Sequence, residues 1–215
     1  MNDFEARKKI IFALWKNTNL LTFLFLTLRT FLLPLDKLNE DLDDKGKIVE
    51  IGSGHGIIIA YLALRSRNRS IIGYDPDEKR TDIAIKSFHS IQNVNFHKNY
   101  FDGENQCDCI IIYGTLCLMS DKLIYELFSK IKKSLNFEGS IYISDILKQD
   151  RLVYSFHIFR ERLFKKINFT QGETVIGREL NDWKNIFETS EFKSYEIIKS
   201  KIFLHSTIDF LIKVK

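Results

Sequence analysis

Proline is nearly absent: the 215 residues hold two, Pro34 and Pro76. So few breakers exclude a proline-rich linker and leave long stretches free to form helices and strands. Cysteine is almost as scarce. Cys107, Cys109 and Cys117 do not make a disulfide framework, and no set of Cys and His has zinc-ligand spacing, so no metal site is expected. Cys109 and Cys117 are read as buried small residues. Neither charge sign dominates. Thirty-two Lys and Arg face 28 Asp and Glu, for a formal charge of +4, which permits an anionic partner without demanding one. The opening MNDFEARKK carries both signs and no cleavable leader pattern, so a cytoplasmic setting is expected. An apolar run of spanning length is also missing. The best candidate, LLTFLFLTLRTFLLPL at 20–35, contains Arg29 and Pro34 and falls short of the ~20 residues a span requires. It reads as a helix packed on the main domain. Alternatively, it meets a membrane face peripherally or lines a greasy substrate entrance.

What is present is enough apolar residue, 45%, to bury a full core, with charged residues at 28%. Residues 5–33 read as helix broken near Asn17–Asn19, and 35–46 as polar turn with Gly46 as a stop. From there short apolar strands alternate with helical stretches. IVEI (48–51), SIIGYD (70–75), NVNFH (93–97), CIIIY (109–113) and SIYISD (140–145) are the strands. Residues 57–65, 78–87 and 122–135 are the helices, with a turn at Gly139. This rhythm predicts an α/β fold with parallel strands covered on both faces and right-handed crossovers. Beyond a helix near Asn181, YEIIKSKIF and STIDFLIKV alternate as two antiparallel strands at a C-terminal edge. The expected organisation is an N-terminal helical cap, 1–40, and one main domain, 41–215.

The informative stretch is IVEIGSGHG, 48–56. Ligands of open parallel sheets sit beyond the carboxyl ends of the strands, where Gly52, Gly54 and Gly56 permit a tight turn and close approach of backbone to ligand. A dinucleotide loop wants G-x-G-x-x-G, but here Ile57 stands where its third glycine belongs. A P-loop would need G-K-[ST]. Glu50, just before the glycines, would repel a pyrophosphate yet suit a cationic ligand, accepting hydrogen bonds from an ammonium group. Asp75 closes the second strand 21 positions after Gly54 and is placed to accept both hydroxyls of an adenosine ribose.

VEIGSGHG, the YDPD of 74–77 and CDCIIIYGTLCLM at 107–119 resemble the landmarks of class I methyltransferases that use S-adenosylmethionine. The resemblance covers 48–145 and implies a Rossmann-like, doubly wound, mostly parallel sheet. It implies that Glu50, Gly52, Ser53 and Gly54 surround the methionyl and ribose parts of the cofactor, with Gly56 shaping the loop. Asp75 would hold the ribose hydroxyls, with Pro76 and Asp77 near adenine. Members often place an acid after the third strand for the adenine amino group. This chain offers Asn99 or Tyr100 there, with Asp102 two positions later. More distantly, LRTFLLPL and Asp145 with the basic stretch RLVYSFHIFRERLF resemble small bacterial methyltransferases of lipid-like or polyketide-like biosynthesis.

The donor half of such a reaction needs no acid. The protein aligns the acceptor and excludes water, and a hydroxyl or carbon acceptor can require a base. Candidate acceptor-side residues are Tyr113 past CIII, Asp145 at the end of SIYISD, and His157, four from Glu161 on a helical face. Each has a plain alternative as core aromatic, turn brace or surface pair. Arg29 reads as a charge snorkelling from a packed helix. Phe23, Phe25, Phe31, Tyr154, Phe156 and Phe159 suggest an apolar acceptor cavity, or simply core. Arg151, Arg160, Arg162, Lys165 and Lys166 form a basic run for an anionic substrate group, or a solvated face. A flipped-base motif is missing after the fourth strand, where YGTL stands, so nucleic acid ranks below a small-molecule or lipid-like acceptor. An RNA or protein methyltransferase, a nicotinamide-dependent oxidoreductase and a non-catalytic binding protein on this fold are the alternatives.

Overall fold

The first helices begin where the sequence offers caps. The Asn2 side chain accepts from the Glu5 N–H at the start of α1 (Asp3–Trp15), and Asn19 accepts from the Thr22 N–H at the start of α2 (Leu20–Leu32). The break expected near Asn17–Asn19 is therefore a cap. Leu33, held extended before Pro34, ends α2. In the computed structural model the described residues are 1–148, 154–155, 158–159, 162, 175–192, 194–198 and 207–213. They fall into two compact units, Met1–Phe101 and Asp102–Lys215.

In the first unit, α3 (Leu35–Glu40) corrects the expected polar turn over 35–46. Pro34 is tolerated at a helix start, and Leu35 and Leu38, three apart, bury one side of a short helix that polar composition masks. Strands β1 (Gly46–Ile51), β2 (Arg69–Tyr74) and β3 (Val94–His97) pair in parallel, Glu50 opposite Gly73 and Gly73 opposite Phe96. Helices α4 (Ile57–Arg65) and α5 (Glu78–Phe88) are the crossovers. Seven consecutive residues of α4, Ile57 to Ala63, are buried, as expected of a helix apolar on every side. Buried Arg7 joins α1 to the end of α2, donating to the carbonyls of Thr30 and Leu33 while pairing with Asp3. Buried Arg69 satisfies the backbone between α3 and β1, donating to the carbonyls of Asp43 and Leu42 and to the Asn39 side chain.

In the second unit β4 (Cys107–Tyr113) pairs in parallel with β5 (Leu135–Ile146), joined through α6 (Asp121–Ser134). Cys107, Cys109 and Cys117 are buried. The turn expected at Gly139 is instead an irregularity within β5. Its pairing shifts between Cys107 opposite Leu135 and Cys109 opposite Ser140, with Glu138 at φ +66°. Helix α7 (Leu180–Thr189) precedes β6 (Tyr195–Ile198), and β7 (Thr207–Lys213) lies antiparallel to both β5 and β6. The strand order is β3-β2-β1 in the first unit and β4-β5-β7-β6 in the second, mostly parallel with the expected antiparallel C-terminal edge. Among the described residues no helix is long and apolar enough to cross a membrane.

Candidate cofactor site

Every residue at the centre of the site comes from the carboxyl ends of β1 and β2. The chain leaves β1 and folds back at once, and the N–H groups of Gly52 and Ser53 both donate to the Tyr74 carbonyl, at 2.8 and 3.1 Å. Gly54, at φ +53°, turns its own N–H onto Asp75 Oδ2 at 2.8 Å. The left-handed conformation at that point is why the position takes glycine. Gly56 serves packing instead. A Cβ there would lie 2.6 Å from the Phe96 ring and 3.1 Å from Ala84, so the start of α4 sits directly against β3 and α5.

Asp75 is 3% exposed and already organised. Oδ2 takes the Gly54 N–H and Oδ1 the Asp77 N–H, each at 2.8 Å. Arg80 Nη2 stands 3.6 Å from Oδ1, and the same guanidinium pairs with Asp77 at 3.0 Å. Each carboxylate oxygen keeps a lone pair for a further donor. Asp77 caps α5, accepting from the Arg80 N–H at 3.0 Å. Pro76 lies between the two acids. Asn99 and Tyr100 follow β3 and are exposed, Tyr100 by 72%. The neighbouring backbone is tied in, because the His97 carbonyl accepts from the Asp75 N–H at 3.1 Å.

Glu50 is the unusual group. Its side chain is buried, and Oε2 has no hydrogen-bond partner. Burial, together with the charge of Asp75, pushes its pKa well above the carboxylate range. The Arg29 cation and the Ile59 N–H at the start of α4 pull the other way. Beside it the buried Ser53 hydroxyl also lacks a partner. His55 is buried and held neutral, its pKa lowered to about 3 by burial and by the cations Arg29 and Arg80, against Asp77. Two cations, Arg29 and Arg80, and three acids, Glu50, Asp75 and Asp77, thus form one electrostatic cluster beside the glycine loop. A buried carboxylate with one unpartnered oxygen, an unpaired hydroxyl and the pre-oriented Asp75 carboxylate have the chemistry to suit the ammonium and hydroxyl groups of S-adenosylmethionine.

Sequence reasoning brought together Glu50, Gly52, Ser53, Gly54, Gly56, Asp75, Pro76 and Asp77, and the structure gathers them in the first unit. It missed Arg80, His55 and the influence of Arg29. The Asp77–Arg80 spacing at a helix start was a usable signal for the first. Nothing in GSGHG marks His55 as buried, and Arg29 read as a snorkelling charge.

The acceptor-side candidates lie in the second unit. Tyr113 is half-buried at the end of β4, and Gly114 beyond it donates its N–H to the Ser144 carbonyl at 2.7 Å. Asp145 is buried near the end of β5. Oδ1 accepts from the Ile146 N–H at 2.7 Å, and Oδ2 has no hydrogen-bond partner. Burial raises its pKa to about 6 against hydrogen bonds from Ile146 and Cys117 and the charge of Arg178. Arg178 is itself buried, pairing with Asp121 at 2.7 Å and donating to the carbonyls of Leu116 and Met119. His157, with Glu161 and Phe156, lies outside the described residues, as do Arg151, Arg160, Lys165 and Lys166. Phe31 and Phe159 are exposed, while Phe23, Phe25 and Tyr154 are half-buried.

Comparison with known proteins gives the family and the fold. A methyltransferase-domain family model matches residues 23–192. O-methyltransferase 12 of Dictyostelium discoideum is 27% identical over 148 residues, 68% of this chain and 39% of that protein. The chain spans 39–44% of the length of the curated relatives it matches. Human N-acetylserotonin methyltransferase, solved in complex with S-adenosylmethionine, shares the fold with a TM-score of 0.64 at 15% identity, over 84% of this chain and 51% of that one. An O-methyltransferase family 2 protein from Planctomyces limnophilus, solved with apigenin, superposes with a TM-score of 0.63 at 14% identity, over 83% and 56%. With its glycine loop and the buried carboxylates Glu50 and Asp75, the chain belongs to the methyltransferase-domain family, the class I enzymes that use S-adenosylmethionine.

Proposed function

We propose that this protein transfers a methyl group from S-adenosylmethionine to a hydroxyl oxygen of a small, apolar or lipid-like acceptor. The observation that carries the donor half is the buried Glu50 carboxylate with its unpartnered Oε2 beside the left-handed Gly54. A carboxylate in that position is unfavourable on its own and is relieved by a cationic amino group. Glu50 therefore receives the ammonium, and the unpartnered Ser53 hydroxyl lines the amino-acid end. Arg29, whose charge already acts on Glu50 and His55, counters the donor's carboxylate. Asp75 accepts the ribose hydroxyls, with Pro76, Asp77, Asn99 and Tyr100 toward adenine.

Bound S-adenosylmethionine supplies an electrophilic methyl on a sulfonium whose sulfide leaves without needing a proton. The chain's own work is orientation, exclusion of water and removal of the acceptor proton. We assign that last task to Asp145. It stands at the carboxyl end of a parallel strand, where ligands of such sheets bind, and a pKa of about 6 makes it a competent base near neutrality. Tyr113, half-buried at the end of β4, is a second candidate for the acceptor side. The acceptor class is supported by the O-methyltransferase names of the relatives and by the apigenin-bound neighbour. The apolar character of α2, which carries Arg29, supports a greasy acceptor.

Calorimetric titration with S-adenosylmethionine, S-adenosylhomocysteine and NAD tests the donor site. One-to-one binding of the first two and none of the third is expected, with loss of about tenfold or more in Asp75→Ala. Folded wild-type protein that binds neither adenosyl ligand would overturn the reading. Phenolic and long-chain hydroxy acceptors are then screened with labelled donor. With a working acceptor, kcat in the wild type rises as pH increases through about 6, and Asp145→Asn removes that rise while leaving donor affinity intact.

A further inference from the structure

The first two helices leave an apolar face open. On α1, Phe4, Phe12 and Trp15 fall on one helical face and are each at least 55% exposed. On α2, Leu21, Leu24, Leu28 and Phe31 do the same, each at least 56% exposed. The two rows adjoin, since the Trp15 ring meets Phe23 edge-on at 4.7 Å. These side chains present on the order of 800 Å² of apolar surface, above the ~300–600 Å² that a typical monomer leaves open. The opposite side of the pair is fixed to the protein by Arg7, Ala6, Ile10, Leu26 and Thr30, so the open face is not an undocked helix.

We propose that this face rests on an anionic lipid surface, with α2 lying in the plane of the interface. Charge decides between a lipid and a second copy of the chain. The exposed charges of α1 and its C-cap are three lysines, Lys8, Lys9 and Lys16, against one acid, Glu5. The other acid of the segment, Asp3, is engaged by Arg7 and Tyr61. Lys8 lies on the same face between Phe4 and Phe12, Lys9 is exposed beside it, and Lys16 sits 4.5 Å over the Phe12 ring. Against a second copy these lysines would meet mainly lysines. Against anionic headgroups each is complementary, while the leucines of α2, which has no acid, enter the acyl boundary. At 13 residues α2 is ~20 Å long, too short for a ~30 Å hydrocarbon core. It lies on a bilayer and does not cross it. The same helix carries Arg29, whose charge reaches Glu50, so the lipid surface would bring a lipophilic acceptor to the helix that borders the donor site.

Vesicle co-sedimentation of the full chain, without donor, tests this separately from the methyl-transfer reading. Vesicles of phosphatidylcholine alone are compared with phosphatidylcholine mixed with phosphatidylglycerol. Partitioning onto the mixed vesicles is expected, weakening as salt rises. The exposed pair Leu21→Ser/Leu24→Ser should lose about tenfold or more, and Lys8→Glu/Lys16→Glu should lose the preference for anionic lipid. Circular dichroism and donor titration report whether the variants stay folded. No partitioning of folded wild type onto anionic vesicles at low salt overturns the proposal, and so does equal partitioning of the leucine variant. Sedimentation equilibrium showing a dimer that the leucine variant abolishes overturns it too and gives the face to a second copy.

Discussion

Glu50 carries the most consequence for its size. In the ligand-free protein its raised pKa means that the folded state holds a proton the unfolded chain has released. Stability therefore falls as pH rises from the ordinary carboxylate value toward the raised one. Glu50→Gln removes that decline, so apo thermal unfolding followed against pH should flatten across this window. The same substitution should weaken S-adenosylmethionine by about ten- to a hundredfold, since the ammonium loses its counter-charge. A variant that binds donor normally would separate Glu50 from the amino group. The letters VEIGSG marked Glu50 as a candidate cation acceptor, because an acid before that glycine pattern disfavours a pyrophosphate. Its Oε2 lacking a partner was not legible, nor was the Asp75 carboxylate's second task of holding Gly54 and Asp77. Both depend on which backbone groups three-dimensional closure brings within 3 Å.

At the scale of elements, the strand-helix alternation between Gly46 and Ile146 was readable because each unit has its own period and its own stop. The misses have local causes. Helix α3 hid in polar letters because two buried leucines suffice to anchor a six-residue helix. The start of β5 hid because its first residues join through a bulge, with Glu138 at positive φ beside a glycine. The junction at Gly56 shows how tightly one element is set against others. Gly56→Ala must move the Phe96 ring and adopt φ +75° with a side chain. A loss of about 2–4 kcal/mol in chemical denaturation is expected. Adding Phe96→Leu should recover only the steric part. Full recovery would mean the left-handed backbone costs nothing there.

For the whole molecule, function is expressed through the equilibrium between folded and unfolded chain. Glu50, Asp75 and the glycine loop exist as a constellation only after strands from separate parts of the sequence have paired, so S-adenosylmethionine binds the native state and not the unfolded one. At ligand a hundredfold above its dissociation constant this adds about 2.7 kcal/mol. In a chain of this length that raises the melting temperature by roughly 5–10 °C. S-adenosylhomocysteine, which keeps the ammonium and ribose groups, should give a similar rise at equal saturation. NAD should give none, because its pyrophosphate would face Glu50 with no third glycine at Ile57 to admit it. Differential scanning calorimetry distinguishes these outcomes. A rise with NAD and none with S-adenosylmethionine or S-adenosylhomocysteine would move the carboxylate-and-glycine site to a dinucleotide, whereas the opposite pattern, abolished in Asp75→Ala, would assign the sulfonium donor to the site that Glu50 and Asp75 form.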